Sequence, residues 1–201
     1  MEVNRRSQAE RSAATRAALV RAARPLFAEH GFAGVGTERI VAAAGVTRGA
    51  LYHQFAGKTK LFEAVYEAIE EDLAGGLGEM IAAAGASDPI AVMRLGANAW
   101  LDACGEQEVQ QIVLLDGPAV LGWARWREIG MRYALGLIES LLAHAIDVGR
   151  IPPQPVRALA HVLVAALDEA GLYIARAEDQ LAAREEMRAV IGTLVTGLAE
   201  G

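Results

Sequence analysis

The residues whose types and spacing point to chemistry lie between Thr37 and Lys58, in the stretch TERIVAAAGVTRGALYHQFAGK. Arg48 carries a planar fork of donors that matches the O6 and N7 acceptors of guanine in a major groove. Gly49 and Ala50 beside it are small, so a helix bearing them can approach bases closely or touch a thymine methyl. Tyr52 and His53 follow with donors suited to phosphate oxygens. Thr37, Thr47 and Lys58 stand where they would position that set. This is recognition chemistry. The four histidines (His30, His53, His144 and His161) make no metal-ligand spacing with Cys or Glu, and no glycine-rich loop leads to Lys-Ser or Lys-Thr. No serine sits in a nucleophile turn. The sequence therefore predicts no catalytic residue, no metal site and no cofactor.

Two short helices and the start of a third are needed to hold these groups. Thr37 is placed to cap the first, in which Ile40, Ala43 and Ala44 recur at helical spacing. Gly45 ends it where a left-handed backbone is easiest without a Cβ, and Val46 plugs the turn. Thr47 caps the second helix, which turns Leu51 and Phe55 inward and leaves Arg48, Gly49, Tyr52 and His53 outward. That is a helix-turn-helix, with one helix as a buttress and the other facing a DNA major groove. Gly57 opens the third helix, and Lys58 in its first turn, with the free backbone N–H groups there, reads as a phosphate clamp.

At these residues the chain resembles the tetracycline-repressor (TetR) family of bacterial transcription regulators. The matching pieces are LFAEHGF at 26–32, TERI at 37–40, AAGVTRGALYHQF at 43–55, and Lys58 ahead of Leu61-Phe62. Gly36 and Val41 depart from the family's usual hydroxyl residue and small helix former. DGPAVLGWARWREI at 116–129 is also similar to a stretch in one subset of the family. The resemblance implies an all-α protein with an N-terminal helix-turn-helix head and a C-terminal ligand-binding and dimerisation body.

Charge supports a division of labour. The net charge of −6 alone argues against nucleic acid. Residues 1–60, however, carry ten Lys/Arg against four Asp/Glu, while residues 61–201 carry nine against twenty-one. A basic head on an acidic body is the asymmetry of a DNA reader. The expected organisation is an arm and helix-turn-helix domain over 1–57, a connecting helix over 58–85 and a body over 86–201, about nine helices in all. Residues 1–10 read as a flexible arm whose Arg5 and Arg6 are candidates for phosphate or minor-groove contact.

Composition points to helices packed with small side chains: 53% hydrophobic but only 5% aromatic residues. The apolar runs look too short for a membrane span, and Met1 to Arg6 opens no signal peptide. The lone Cys104 fits a reducing cytoplasm, so a cytoplasmic protein with no membrane partner is expected. From Arg11, Leu19, Ala22, Ala23, Leu26 and Phe27 form a helical stripe; Pro25 should bend it near its last turn, and Gly31 should end it. Leu61, Phe62, Val65, Tyr66, Ile69 and Leu73 form the stripe of the connecting helix, expected to weaken at Gly75-Gly76. Pro89 opens the next helix, Asp116-Gly117-Pro118 signals a turn, and one long helix should run from Leu121 to Ile146.

The body offers bulk for a pocket in Met93, Trp100, Cys104, Trp123, Trp126, Met131 and Tyr133, with Asp116 and Asp168 as nearby acids. Residues 156–177 are apolar nearly all round, and Met187, Val190, Ile191, Leu194, Val195 and Leu198 form one stripe of the last helix. Leu159, Val162, Leu163, Ala166 and Ala170, with Val190, Ile191, Leu194 and Leu198, are accordingly expected to build a four-helix homodimer interface. The expected function is a dimeric repressor released from a palindromic operator on double-stranded DNA by a small, apolar ligand. The alternatives are a regulator that activates or answers to a protein, and an all-helical carrier or enzyme.

Overall fold

A computed structural model of the chain describes residues 8–85 and 88–200, so the arm's Arg5 and Arg6 lie outside the described residues. Among the described residues every regular element is helical. They are α1 (Gln8–Gly34), α2 (Thr37–Ala44), α3 (Arg48–Gln54), α4 (Lys58–Ala84), α5 (Pro89–Ala103), a π-helix (Val109–Asp116), α6 (Gly117–Leu121), α7 (Trp123–Asp147), α8 (Val156–Arg176) and α9 (Gln180–Gly197).

The head forms because α1 gives Leu19, Ala23 and Phe27 to a shared core with Val35, Ile40, Leu51 and Phe55. Phe27, Phe32 and Phe62 meet there with ring centroids 5.3–5.9 Å apart. Pro25 sits inside α1, exposed, and the helical backbone is broken at Gly31 (φ 68°, ψ 167°), where the sequence placed the helix end. A proline removes one N–H from the ladder, whereas Gly31 adopts a backbone that L-residues avoid. Gly31 thereby turns Phe32 back onto the core.

Two further readings of helix ends need correction. α4 runs unbroken through Gly75 and Gly76 to Ala84, without the weakening expected there, and open space lies where a Cβ at either glycine would stand. Asp116-Gly117-Pro118 is no turn: Pro118 occupies the first turn of α6, where its missing N–H costs nothing. The break falls at Gly122 (φ 78°), which separates α6 from α7.

The body packs α5 on α9, α7 on α8 and α8 on α9, while α4 crosses from the head to lie against α5 and α7. By length and composition α7 and α8 are apolar enough to cross a membrane, contrary to the reading of short apolar runs. Here they pack on one another, and an Arg127–Asp168 ion pair (2.7 Å) ties them together.

Candidate functional site

Thr47 caps α3 as its sequence suggests, its Oγ1 accepting from the Ala50 N–H at 3.1 Å. Leu51 and Phe55 are buried, and Gly45 takes the left-handed conformation (φ 65°) between the two helices. Burial on one side of α3 fixes exposure on the other, where Arg48, Gly49, Tyr52 and His53 face solvent. The Arg48 guanidinium lies 5.6 Å from the Tyr52 ring centre and donates to Glu38 of α2 at 3.0 Å. The buttress helix differs in detail. Gly36, not Thr37, is its cap and makes no side-chain bond; Thr37 is the first helical residue. Ala43 is exposed, and Val41 joins Ile40 in the core.

Lys58 has partners that the sequence did not suggest. Its Nζ donates to the carbonyls of Phe32 (2.8 Å) and Val35 (2.9 Å) and sits 4.1 Å from the Phe32 ring centre. The ammonium spends two of its three donors tying the start of α4 to Phe32, near the end of α1, and to Val35 just beyond it. Beside it, the helix start also presents backbone N–H groups behind Gly57 (φ 115°). The basic head is also fastened to the body. Arg24 donates to both oxygens of Glu108 (2.6 and 2.7 Å) and to Asp72 of α4, and the Phe32 N–H donates to Asp116 at 2.6 Å. Asp116 therefore belongs to this seam and not to a pocket.

In the body, α4, α5, α7, α8 and α9 line a half-open cavity of about 380 Å³. Met93, Trp100 and Tyr133 line it as expected, and so does Asp168. Cys104, Trp123, Trp126 and Met131 do not. Trp123 is 57% exposed on the surface. Trp126 is buried against Gly117 with its Nε1 donating to Val113 O at 2.8 Å. Cys104 is packed on Gly171, its thiol pushed up by burial. Most of the remaining wall is aliphatic, including Leu77, Leu137 and Leu167.

Sequence reasoning missed Glu70, whose carboxyl faces the cavity from α4 and is nine-tenths buried. Burial, with repulsion from Asp168, pushes it up to about 7, against the opposing hydrogen bond from Tyr66. Asp168 is likewise pushed up by burial, to about 6, although Arg127 opposes the shift. The signal was available: Glu70 stands four residues after Tyr66 and three before Leu73, on the apolar stripe itself.

The expected interface residues divide into three sets. Val162, Val190 and Leu194 are 63%, 50% and 48% exposed. Ala170 and Ile191 are buried within the chain, and Leu163 and Ile191 line the cavity. Leu159, Ala166 and Leu198 are half-buried. The final helix thus has two apolar faces where the sequence suggested one stripe: Ile191 and Val195 inward, Val190 and Leu194 outward.

Residues 19–65 match the family model for bacterial regulatory proteins of the tetR family, and residues 90–198 match a tetracyclin repressor-like C-terminal domain. A crystal structure of a TetR-family transcriptional regulator from Pectobacterium atrosepticum is 32% identical, with a TM-score of 0.85 over 98% of this chain and 99% of that one. RolR, solved in complex with resorcinol, shares the fold at 20% identity, with a TM-score of 0.75 over 96% of each chain. The nucleoid occlusion factor SlmA of Actinobacillus pleuropneumoniae is 52% identical over 50 residues, and that match spans only a quarter of either chain.

Proposed function

The chain belongs to the TetR family of bacterial regulatory proteins, and we propose that it is a dimeric repressor released from a palindromic operator by a small, largely apolar effector. The observation that carries this reading is the α3 face. Arg48, Gly49, Tyr52 and His53 are exposed together on a helix whose opposite side is locked into the head core. Arg48 exchanges its exposed contact with Glu38 for a base edge, worth about 1–3 kcal/mol of discrimination. Gly49 and Ala50 allow the close approach, and Tyr52 and His53 take phosphate. Thr37, Thr47 and the backbone N–H of Lys58 position the head.

One α3 reads too few bases for a defined site. Two heads must sit about one helical turn apart, roughly 34–36 Å. The outward apolar side chains Val162, Val190 and Leu194 support pairing of α8 and α9 with their copies in a second chain. Half-buried Leu159, Ala166 and Leu198 border that face. The 380 Å³ cavity beside α4 supports control by an effector. An effector that prefers another head spacing shifts the population away from the DNA-bound form. RolR's complex with resorcinol supports a ligand site within this fold. The protein acts in the cytoplasm, on double-stranded DNA.

The test is selection of bound sequences from a random DNA pool, with the native chain and with Arg48→Ala. The native chain should enrich a palindrome, and Arg48→Ala should lose preference at one position in each half. Equal loss at every position, or enrichment of unpaired half-sites, contradicts the reading.

A further inference from the structure

The ionisable groups facing the cavity are all of one sign. Glu70, Asp72 and Asp168 line it, and among the described residues no Lys, Arg or His does. Asp72 is paired with Arg24 and Asp168 with Arg127, each through a guanidinium that lies outside the lining. Glu70 is different. Among the described residues it makes no ion pair; its neighbours are the Tyr66 hydroxyl and the repelling Asp168. The Tyr66 hydroxyl has one proton to give and also donates to Trp126 O at 3.3 Å, so it cannot serve Glu70 in full. Gly130 of α7 packs beside both groups: a Cβ there would stand in ordinary contact, 3.5 Å from the Tyr66 hydroxyl and 3.7 Å from Glu70 Oε1.

A buried carboxylate without a cation is costly to ionise, and the cost is offset only by an opposite charge brought to it. A ligand carboxylate or phosphate would meet three acids and no free cation. A plain hydrocarbon would strip Glu70 of its remaining water and return nothing. A protonated amine on an apolar frame satisfies both halves of the cavity. Its ammonium faces Glu70, with the paired Asp168 adding negative potential, and its hydrocarbon fills the space between Leu77, Leu137 and Leu167. Resting on the effector reading above, we infer that the effector is a lipophilic amine whose ammonium pairs with Glu70.

The test uses three probes of one shape, 4-butylbenzylamine, 4-butylbenzyl alcohol and 4-butylbenzoate, added to the full chain at pH 7 while Trp fluorescence is followed. Trp100 lines the cavity and reports occupancy. The amine should bind at least ten-fold more tightly than the alcohol, and the benzoate most weakly. Glu70→Gln should cut amine affinity about ten-fold and leave the alcohol within about three-fold. The ranking on the native chain needs no variant, so it stands even if Glu70→Gln folds poorly. Alcohol or benzoate binding as tightly as amine overturns the amine inference and leaves the effector reading intact, as does an equal loss of all three in Glu70→Gln. No binding by any probe overturns both.

Discussion

Lys58 gives the sharpest separation between what its position suggests and what its contacts do. Removing its ammonium with Lys58→Met keeps most of the side-chain volume but deletes two charge-assisted hydrogen bonds, to Phe32 O and Val35 O, and the contact with the Phe32 ring. Bonds to charged groups contribute about 1.5–3 kcal/mol each and a half-exposed cation–π contact about 0.5–1 kcal/mol. Water can reach part of this site, so the expected loss is about 3 kcal/mol rather than the full sum. For a chain of this size each kcal/mol moves the melting midpoint by about 2–4 °C, which gives roughly 6–12 °C. The assay pairs thermal melting with DNA affinity measured as salt is varied, at a temperature where both proteins are folded. Lys58→Met should melt early and keep the native salt slope. A variant that melts with the native chain, and whose salt slope falls by about one, would show a phosphate clamp and refute the reasoning.

Thr47→Ala removes the acceptor of the Ala50 N–H and should cost about 1 kcal/mol, whereas Thr47→Asp should restore most of it; thermal melting distinguishes the two. Gly117→Ala places a Cβ 2.7 Å from the Trp126 ring and should destabilise by about 1–3 kcal/mol. Gly75→Ala, in open space within α4, should instead stabilise by about 0.5–1 kcal/mol in the same melts. Glu70, raised from 4.5 to about 7, holds its proton in the folded chain where the unfolded chain has lost it. Its contribution is therefore complete below about 4.5 and disappears as pH rises through about 7. Between pH 5 and 8 stability should fall by about 2–3 kcal/mol from this group, and Glu70→Gln should flatten that part of the urea-denaturation profile. An unchanged slope would mean that Glu70 is ionised in the folded chain.

The helix-turn-helix was legible because its signals are local. Thr47, Gly45, Leu51 and Phe55 lie within eleven residues, and each acts through a cap, a left-handed turn or a one-turn spacing. The all-helical fold was legible for the same reason. Helix continuity was not. Gly75 and Gly76 weaken a helix only by their own propensity, which the packing of the rest of α4 overrides. The contents of the cavity were hidden because they depend on where along one face of α7 the neighbouring helices leave space. Trp126 and Tyr133 are seven residues apart, yet one packs on Gly117 and the other lines the cavity. The partners of Lys58 (Phe32 and Val35) and of Asp116 (Phe32) were hidden because they lie 23 to 84 residues away in sequence. Periodicity carries no information at that range.

The central claim is that two copies of α3 read one palindrome. Footprinting of DNA upstream of this protein's own coding region, repeated as salt is raised, tests it most directly. The account predicts a symmetric protected site whose two halves are centred about one DNA turn apart, with affinity falling steeply as salt rises. No protection at low salt, there or in fragments pulled down from the whole genome, would contradict it and leave the cavity as the seat of function.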